Sequence, residues 1–298
     1  MAYTEIQEKR GKKYFYRAKA IREGKKIRKE RIYLGINLNE EGLKKKEKEA
    51  DKKLNVFSVV LNEEDDKFLA KIKRDFSKEP KENYENRYEA FCSLFTYNST
   101  GIEGNTLTLS ETSYLLFEGV VPKEKPLREI NEVINHKKAF DYILEYKKDI
   151  NKDFILELHK LVVVNNIRID LISQIGKYRT VQVYIGNSIP PKPQDVSNEM
   201  ARLLKWYSTN KKKLHPLVLA SYFHTEFERI HPFVDGNGRV GRLLLNWLLM
   251  YKGLMPLAID VKQREKYLFA INKAEEGNLL EICKFCFLEY TEYYKFIV

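Results

Sequence analysis

Long apolar runs are missing from this chain. Its most apolar stretches, such as 243–250, fall far short of the roughly 20 residues that a membrane-spanning helix needs, so no membrane span is expected. The start, Met1-Ala2-Tyr3-Thr4-Glu5, lacks an apolar signal-peptide core, and the two absences together lead to a cytoplasmic expectation. Cysteine is scarce: three residues, an odd number, do not make a disulfide framework. Cys283 and Cys286 form a lone C-x-x-C on one face of a helical segment. With no second ligand pair they read as buried core, not as a metal or redox site. Histidine is sparse too, and His136, His159, His215 and His224 fall in no H-E-x-x-H or other metal spacing, which leaves them core or capping roles. His224 lies on the helix leading into the central motif described below. No internal repeat is present.

What is present is charge, unevenly spread. The chain has 298 residues, enough for one large domain and a small appendage, and a net charge of +11. Residues 1–54 hold 18 Lys and Arg against 9 Asp and Glu, most of that surplus. Segments 14–21 and 27–34 mix aromatic and β-branched residues with charges and read as two strands around a turn at Glu23-Gly24, a basic β-hairpin. Interleaved aromatics and cations suit nucleic acid or an acidic partner. The plainer reading, a solvated hairpin whose lysines protect its edges, is preferred because no named nucleic-acid motif accompanies the charge. Segment 40–54 is a highly charged helix with few apolar anchors, expected to be a linker, with a domain boundary near residue 55.

Beyond that boundary the periodicity is helical and the expected fold is mainly α. Helices are expected over 65–76, 84–95 running into 97–105, 127–146, 153–165, 195–208, 216–229, 238–251, 262–276 and 279–296, with another starting at Ser110 as N-cap and Glu111 in its first turn. The exception is 176–191. Its β-branched run, closed by Gly186 and then Pro190-Pro191, reads as a short hairpin and extended loop, a candidate lid or docking edge.

The densest chemistry lies at 231–242, where one histidine, one aspartate, three glycines and two arginines separate two apolar periodic segments. Gly236, Gly238 and Gly241 let backbone approach a ligand, and the helix that starts there offers free N–H groups and a positive dipole end to an anion. Arg239 and Arg242, three apart, can point to one polyphosphate. Asp235 would repel that anion unless it holds a Mg²⁺ (or Mn²⁺) ion against the phosphate oxygens. His231, with an ordinary pKa of about 6.5, suits a general base. A lone histidine near an aspartate is usually structural and Asp-Gly-Asn-Gly alone is an ordinary turn; the density of the set decides for a functional site.

His231 to Arg242 resembles the full H-P-F-x-D-G-N-G-R-x-G-R motif of the Fic (filamentation induced by cAMP) family, and 176–196 resembles that family's flap as found in its animal adenylyltransferases. The resemblance covers roughly residues 60–298. It implies a helical-bundle core with a short β-hairpin flap and a nucleotidyltransferase that moves AMP from ATP, with Mg²⁺, to a Ser, Thr or Tyr hydroxyl of a target protein or of itself. By the same resemblance His231 is the base, Asp235 the metal ligand, Gly236, Asn237 and Gly238 the anion hole, and Arg239 and Arg242 the outer-phosphate ligands, with Gly241 in the same ATP-binding stretch. Flap residues Val183, Tyr184, Ile185 and Gly186 would dock the target, and Tyr267 would pack near the adenosine unless it is an ordinary core aromatic. Relatives lacking the Asp or the second Arg do other chemistry, such as phosphorylation; this chain keeps both.

A second match, Ser99-Thr100-Gly101-Ile102-Glu103-Gly104-Asn105, resembles the inhibitory-helix motif of class II members, whose inhibitor precedes the core. It implies that Glu103 pairs with Arg242 in the place of the γ-phosphate. Gly101 costs a helix roughly 1 kcal/mol relative to Ala, so an easily displaced inhibitor is expected. The expected organisation is a basic module over 1–54 and a Fic domain over 55–298, with inhibitory region 84–105 and catalytic core 127–298. Two alternatives stay open: removal of AMP, with Glu103 orienting water, and a nucleotide-sensing protein that binds nucleic acid through the basic hairpin. A homodimer is compatible with the sequence, and the target is not legible in it.

Overall fold

The structure, a computed structural model, describes residues 3–9, 11–23, 26–59, 63–186, 189–276 and 278–295. Strands β1 (Tyr3–Lys9), β2 (Lys12–Glu23) and β3 (Lys26–Ile36) form an antiparallel sheet in that order. The expected two-stranded hairpin is thus a three-stranded sheet. β1 escaped the pattern because its sequence, TEIQEK after Tyr3, carries one strongly apolar residue, Ile6. The expected turn residue Gly24 lies outside the described residues.

Helix α1 (Glu40–Val59), the expected linker, packs on the sheet over its first half. The Asn39 side chain accepts from Gly42 N (2.9 Å) at its start, and Ala50 is buried with Phe15 and Leu34 in a small core of its own. Arg17 grips Asp51 through two bonds of 2.7 Å, a bidentate pair that fixes the helix on the sheet. The helix runs through residue 55 without a break.

The rest is helical: α2 (Glu63–Ser77), α3 (Tyr84–Ile102), a short α4 (Leu109–Ser113), α5 (Leu127–Glu145), α6 (Lys152–Val163), α7 (Pro193–Asn210), α8 (Pro216–Ile230), α9 (Asn237–Tyr251), α10 (Arg264–Glu275) and α11 (Leu279–Lys295). α9 is the axis. Leu243, Leu244, Leu245, Trp247, Leu248 and Leu249 are all buried, so it is apolar all round and α3, α5, α6 and α8 pack about it. Each such side chain contributes about 1.5–3 kcal/mol by leaving water. α9's first turn therefore cannot shift without disturbing the centre of the bundle.

α4 is capped by Thr108, not Ser110. Thr108 Oγ1 accepts from Glu111 N (3.2 Å) while the Glu111 carboxylate accepts from Thr108 N (2.7 Å), a capping box whose three-residue spacing Ser110 does not have to Glu111. Cys283 and Cys286 are buried free thiols, as expected, with burial pushing Cys286 up to about 12. No group of three or more His, Cys, Asp or Glu is placed to hold a metal, and no helix is long and apolar enough to cross a membrane, among the described residues.

Between α6 and α7 a 3₁₀ turn (Ile169–Gln174) leads into an extended segment from residue 178 onward. Of the expected hairpin, one β-bridge at Ile185 is seen, and 187–188 lie outside the described residues. Arg179 holds this segment in place of a partner strand. Its guanidinium donates to the carbonyls of His231 (2.8 Å), Val181 (3.1 Å) and Pro191 (2.5 Å), and its own N–H donates to Pro232 O (2.8 Å).

Candidate active site

The α8–α9 loop is held on every side. His231 ends α8 in the left-handed region (φ 48°, ψ 63°), a conformation that costs a non-glycine residue about 1–2 kcal/mol. The surroundings offset that cost. Asn237 closes the loop by accepting from Phe233 N (2.9 Å) and donating to Phe233 O (2.8 Å). His159 stacks on Phe233 with ring centroids 3.8 Å apart; its Nδ1 accepts from Gly176 N (3.0 Å), so Nε2 carries the proton and donates to Asp235 O (3.2 Å). Gly236 sits at φ 80°, where a Cβ would meet Val163 Cγ1 at 2.7 Å.

A cavity of about 810 Å³ opens beside this loop. It is lined by Glu103 from the end of α3, Ile185 and Gly186 of the extended segment, Glu228 and His231 of α8 and its cap, Gly238 and Arg242 of α9, and Tyr267 and Asn272 of α10. A second cavity of about 250 Å³, walled by Phe76, Phe91, Phe140 and Tyr293, has Arg87 as the one charged residue among its described lining and offers no comparable chemistry.

Arg242 is buried at the centre of the larger cavity's wall. Its Nη2 donates to Glu103 Oε1 (2.7 Å) and Ser99 O (2.7 Å), and its Nε to Ser99 Oγ (3.0 Å). Glu103 keeps 40% of its side-chain accessibility, all the same lying in the cavity wall. Burial opposes its ionisation and is the largest single influence, but Arg242, Arg239 and His231 together hold it below the ordinary carboxylate range. For Arg242 burial likewise works against the charge, and Glu103 reverses it, raising the guanidinium above its usual value. A Cβ at Gly238 would overlap the Glu103 carboxylate, so this anion lies against the first turn of α9, where N–H groups have no helical partner.

The other expected site residues divide. Asp235 stays 43% exposed, its Oδ1 accepting from Gly236 N (2.6 Å) and from Arg239 Nη2 (3.2 Å). Arg239 does not share Arg242's anion: it is buried between Asp235 and Glu132 (3.7 Å), because the α9 turn carries its side chain toward α5. Gly241 faces Glu228 and His224, not the cavity. Tyr267 lines the cavity but is buried, its hydroxyl 2.6 Å from His224 Nε2, and burial pushes its phenol above the ordinary range. Gly104 turns at φ 98°, and Asn105 donates to Glu129 O and Glu132 Oε2 (both 3.0 Å), away from Arg242. Gly101 is not a weak point in α3. A Cβ there would press on Val261 Cγ2 at 3.2 Å, and Asn98 and Ile102 accept from Val261 N (2.9 Å) and Arg264 Nε (2.8 Å), which fastens the helix end to the start of α10. Of the flap residues, Ile185 and Gly186 reach the cavity, Val183 lies in the extended run before them, and Tyr184 is 73% exposed.

Burial is the main reason that the His231 pKa falls to about 4, with the Arg179 cation adding to it, so the imidazole is neutral at pH 7. Glu228, three residues earlier, has the opposite fate. Burial pushes it up to about 8, against the pull of Arg242, so a neutral acid sits beside a neutral His224, whose Nδ1 is 3.7 Å away. Glu228, His159 and Arg179 stand out as site residues only in the folded chain. The one legible signal for Glu228 was its four-residue spacing from His224, one helical turn. Gly241 exists to admit this acid: a Cβ there would overlap Glu228 Oε1. Gly241→Ala is expected to lose about 1–3 kcal/mol in urea unfolding, and Glu228→Ala in the same chain to restore part of it.

Residues 149–249 match the Fic/DOC family. The matched stretch contains the whole loop from His231 to Arg242. A "Protein adenylyltransferase Fic" from Drosophila persimilis is 40% identical over 193 residues, which are 63% of this chain and 37% of that protein. The chain thus spans little more than a third of the length of such curated relatives. Fic-1 from C. elegans superposes with a TM-score of 0.68 at 25% identity, covering 87% of this chain and 76% of that one. A Fic domain containing signaling protein from Bacteroides thetaiotaomicron gives 0.67 at 26% identity over 76% of this chain and 95% of its own. The helical body therefore has a Fic-type fold, with the three-stranded sheet at its N-terminal end.

Proposed function

We propose that this Fic chain transfers AMP from ATP to a Ser, Thr or Tyr hydroxyl of a protein, and that Glu103 restrains the transfer. The observation that carries the reading is the place of the Glu103 carboxylate, on Arg242 and against Gly238, where a triphosphate's outer phosphates belong. In this reading the backbone N–H groups of Gly236, Asn237 and Gly238 hold the inner phosphates, and Arg242 holds the far end once Glu103 leaves. Arg239 keeps Nε without a hydrogen-bond partner among the described residues, and its Nη1 meets Glu132 only at 3.7 Å, so in this reading its guanidinium turns from α5 to the phosphates when ATP binds. Neutral His231 takes the proton of the incoming hydroxyl as its oxygen bonds to the α-phosphorus and the bond to the diphosphate breaks.

The exposed Asp235 carboxylate, with Oδ1 engaged, fits a Mg²⁺ ion completed by phosphate oxygens. Such an ion supplies charge neutralisation at the phosphates. Ile185 and Gly186 line the cavity and Val183 and Tyr184 lead up to them, so an extended target segment can align with this run and meet the exposed Tyr184. Residues 55–298 are the catalytic unit in this account, with 84–105 as its restraint, 127–298 as its core and 1–54 as an appended module. The test is the position of label: protein incubated with α-labelled ATP becomes labelled, with γ-labelled ATP it does not, and chelation of divalent metal abolishes the first. Label from the γ-position would refute AMP transfer.

A further inference from the structure

The N-terminal sheet has no part in the chemistry above, and it carries most of the protein's charge. Residues 3–36 hold 12 Lys and Arg against 4 Asp and Glu. α1 covers one face of the sheet through Phe15, Leu34 and Ala50. On the other face the rings of Tyr16 and Tyr33 pack at 5.4 Å, Tyr33 is 51% exposed, and Lys29 stands 5.3 Å over the ring of Tyr3, itself 44% exposed. Exposed aromatic surface beside Lys29 and Arg31, two cations that share the single Glu5 carboxylate, is unlike a face built only to stay in water.

The register adds a second observation. Among the described residues, β1 pairs with β2 as far as Tyr3 opposite Ala18, whereas β2 and β3 continue to pair from Lys19↔Glu30 to Glu23↔Lys26. Among the described residues β2 and β3 therefore run on as a two-stranded arm, whose residues 19–23 and 26–30 carry five Lys and Arg against two Glu. Strands about 4.8 Å apart make a ribbon that enters a DNA major groove about 12 Å wide. The deep, narrow major groove of duplex RNA does not admit it.

We propose that this sheet is a duplex-DNA-binding surface, with the β2–β3 arm laid in the major groove and the basic strands along the phosphate backbone. Binding is electrostatic in the main, by release of counterions, and tolerant of sequence. The tyrosine face steadies the sheet against the sugar edge beside the groove.

The test uses the full chain and a fluorescent duplex of mixed sequence, about 25 base pairs long, titrated by anisotropy between about 50 and 200 mM salt. Binding is expected to weaken by about 100-fold or more over that range. Arg22→Gln/Lys26→Gln/Arg28→Gln is expected to weaken it at least about tenfold and to lower the salt slope by about 3, with AMP transfer unchanged. Tyr33→Ala, outside the buried cluster, is the second variant and is expected to weaken binding without altering the salt slope. The proposal is overturned if no binding is seen at the lowest salt, if both variants bind as the parent does, if duplex RNA of the same length binds as tightly, or if vesicles with anionic lipid bind and DNA does not.

Discussion

Glu103→Gly is expected to raise incorporation of α-labelled AMP, into the protein itself or into a target, by about 10-fold or more. A charge-assisted hydrogen bond of the kind Glu103 makes to Arg242 (2.7 Å) is worth roughly 1.5–3 kcal/mol, and 1.4 kcal/mol is a factor of ten. Glu103 is 40% accessible, so solvent screens the pair and the lower part of that range applies. The variant also frees the first turn of α9, against which the carboxylate rests at Gly238. Glycine at 103 suits a helix end: the residue is the C-cap of α3, beyond the last helical position, so little helix stability is lost. Unchanged labelling would remove Glu103 as the restraint. Labelling that rises to the same extent in Arg242→Ala would show that a generally loosened site, not a released phosphate ligand, is responsible.

His231→Ala in the Glu103→Gly chain is expected to lower transfer by about 100- to 10,000-fold, the usual contribution of a general base. The left-handed backbone at φ 48° is no better served by alanine, so a modest loss of stability should accompany the loss of rate, and thermal unfolding separates the two. The pH dependence distinguishes a base from a merely structural histidine. Burial holds the His231 pKa at about 4, so the base form is already complete at pH 6 and the rate should be flat from there to pH 8, falling only as the pH approaches 4. For stability the sign is fixed the same way. Unfolded histidine takes up its proton below about 6.5 while buried His231 refuses it until about 4, so this group lowers stability progressively as pH falls between those values. A rate that instead halves near pH 6.5 would contradict the buried, neutral imidazole.

What could be read from the sequence follows from how far apart the contributing residues lie. The stretch from His231 to Arg242 is contiguous, and three glycines, an aspartate and two arginines in it state their chemistry without the fold. The helices from α5 to α11 were legible because each buries an apolar stripe that the 3.6-residue period exposes. The pairing of Glu103 with Arg242 spans 139 residues, and only the family resemblance pointed to it. Nothing local says that Arg239 turns to Asp235 and Glu132 while Arg242 turns to Ser99, since three-residue spacing puts both on one side of α9 and the neighbouring helices choose their partners. Glu228 was passed over because an acid between Phe227 and Arg229 reads as a solvated helix position; only the packing of Gly241 beneath it shows it buried. Arg179 looked like one more cation in a loop, yet three carbonyls converge on it. At the other end of the chain, lysine-rich segment 40–54 looked too polar to pack, and Ala50 with the Arg17–Asp51 pair was enough to make it part of the small module.

Calorimetric titration of ATP and of AMP into the parent and Glu103→Gly proteins asks whether Glu103 stands where the outer phosphate of ATP must go. ATP is expected to bind the variant about tenfold more tightly, because its outer phosphate gains Arg242. AMP, which has no outer phosphate, is expected to bind both proteins alike. Equal gains for ATP and AMP, or no gain for either, would contradict the account.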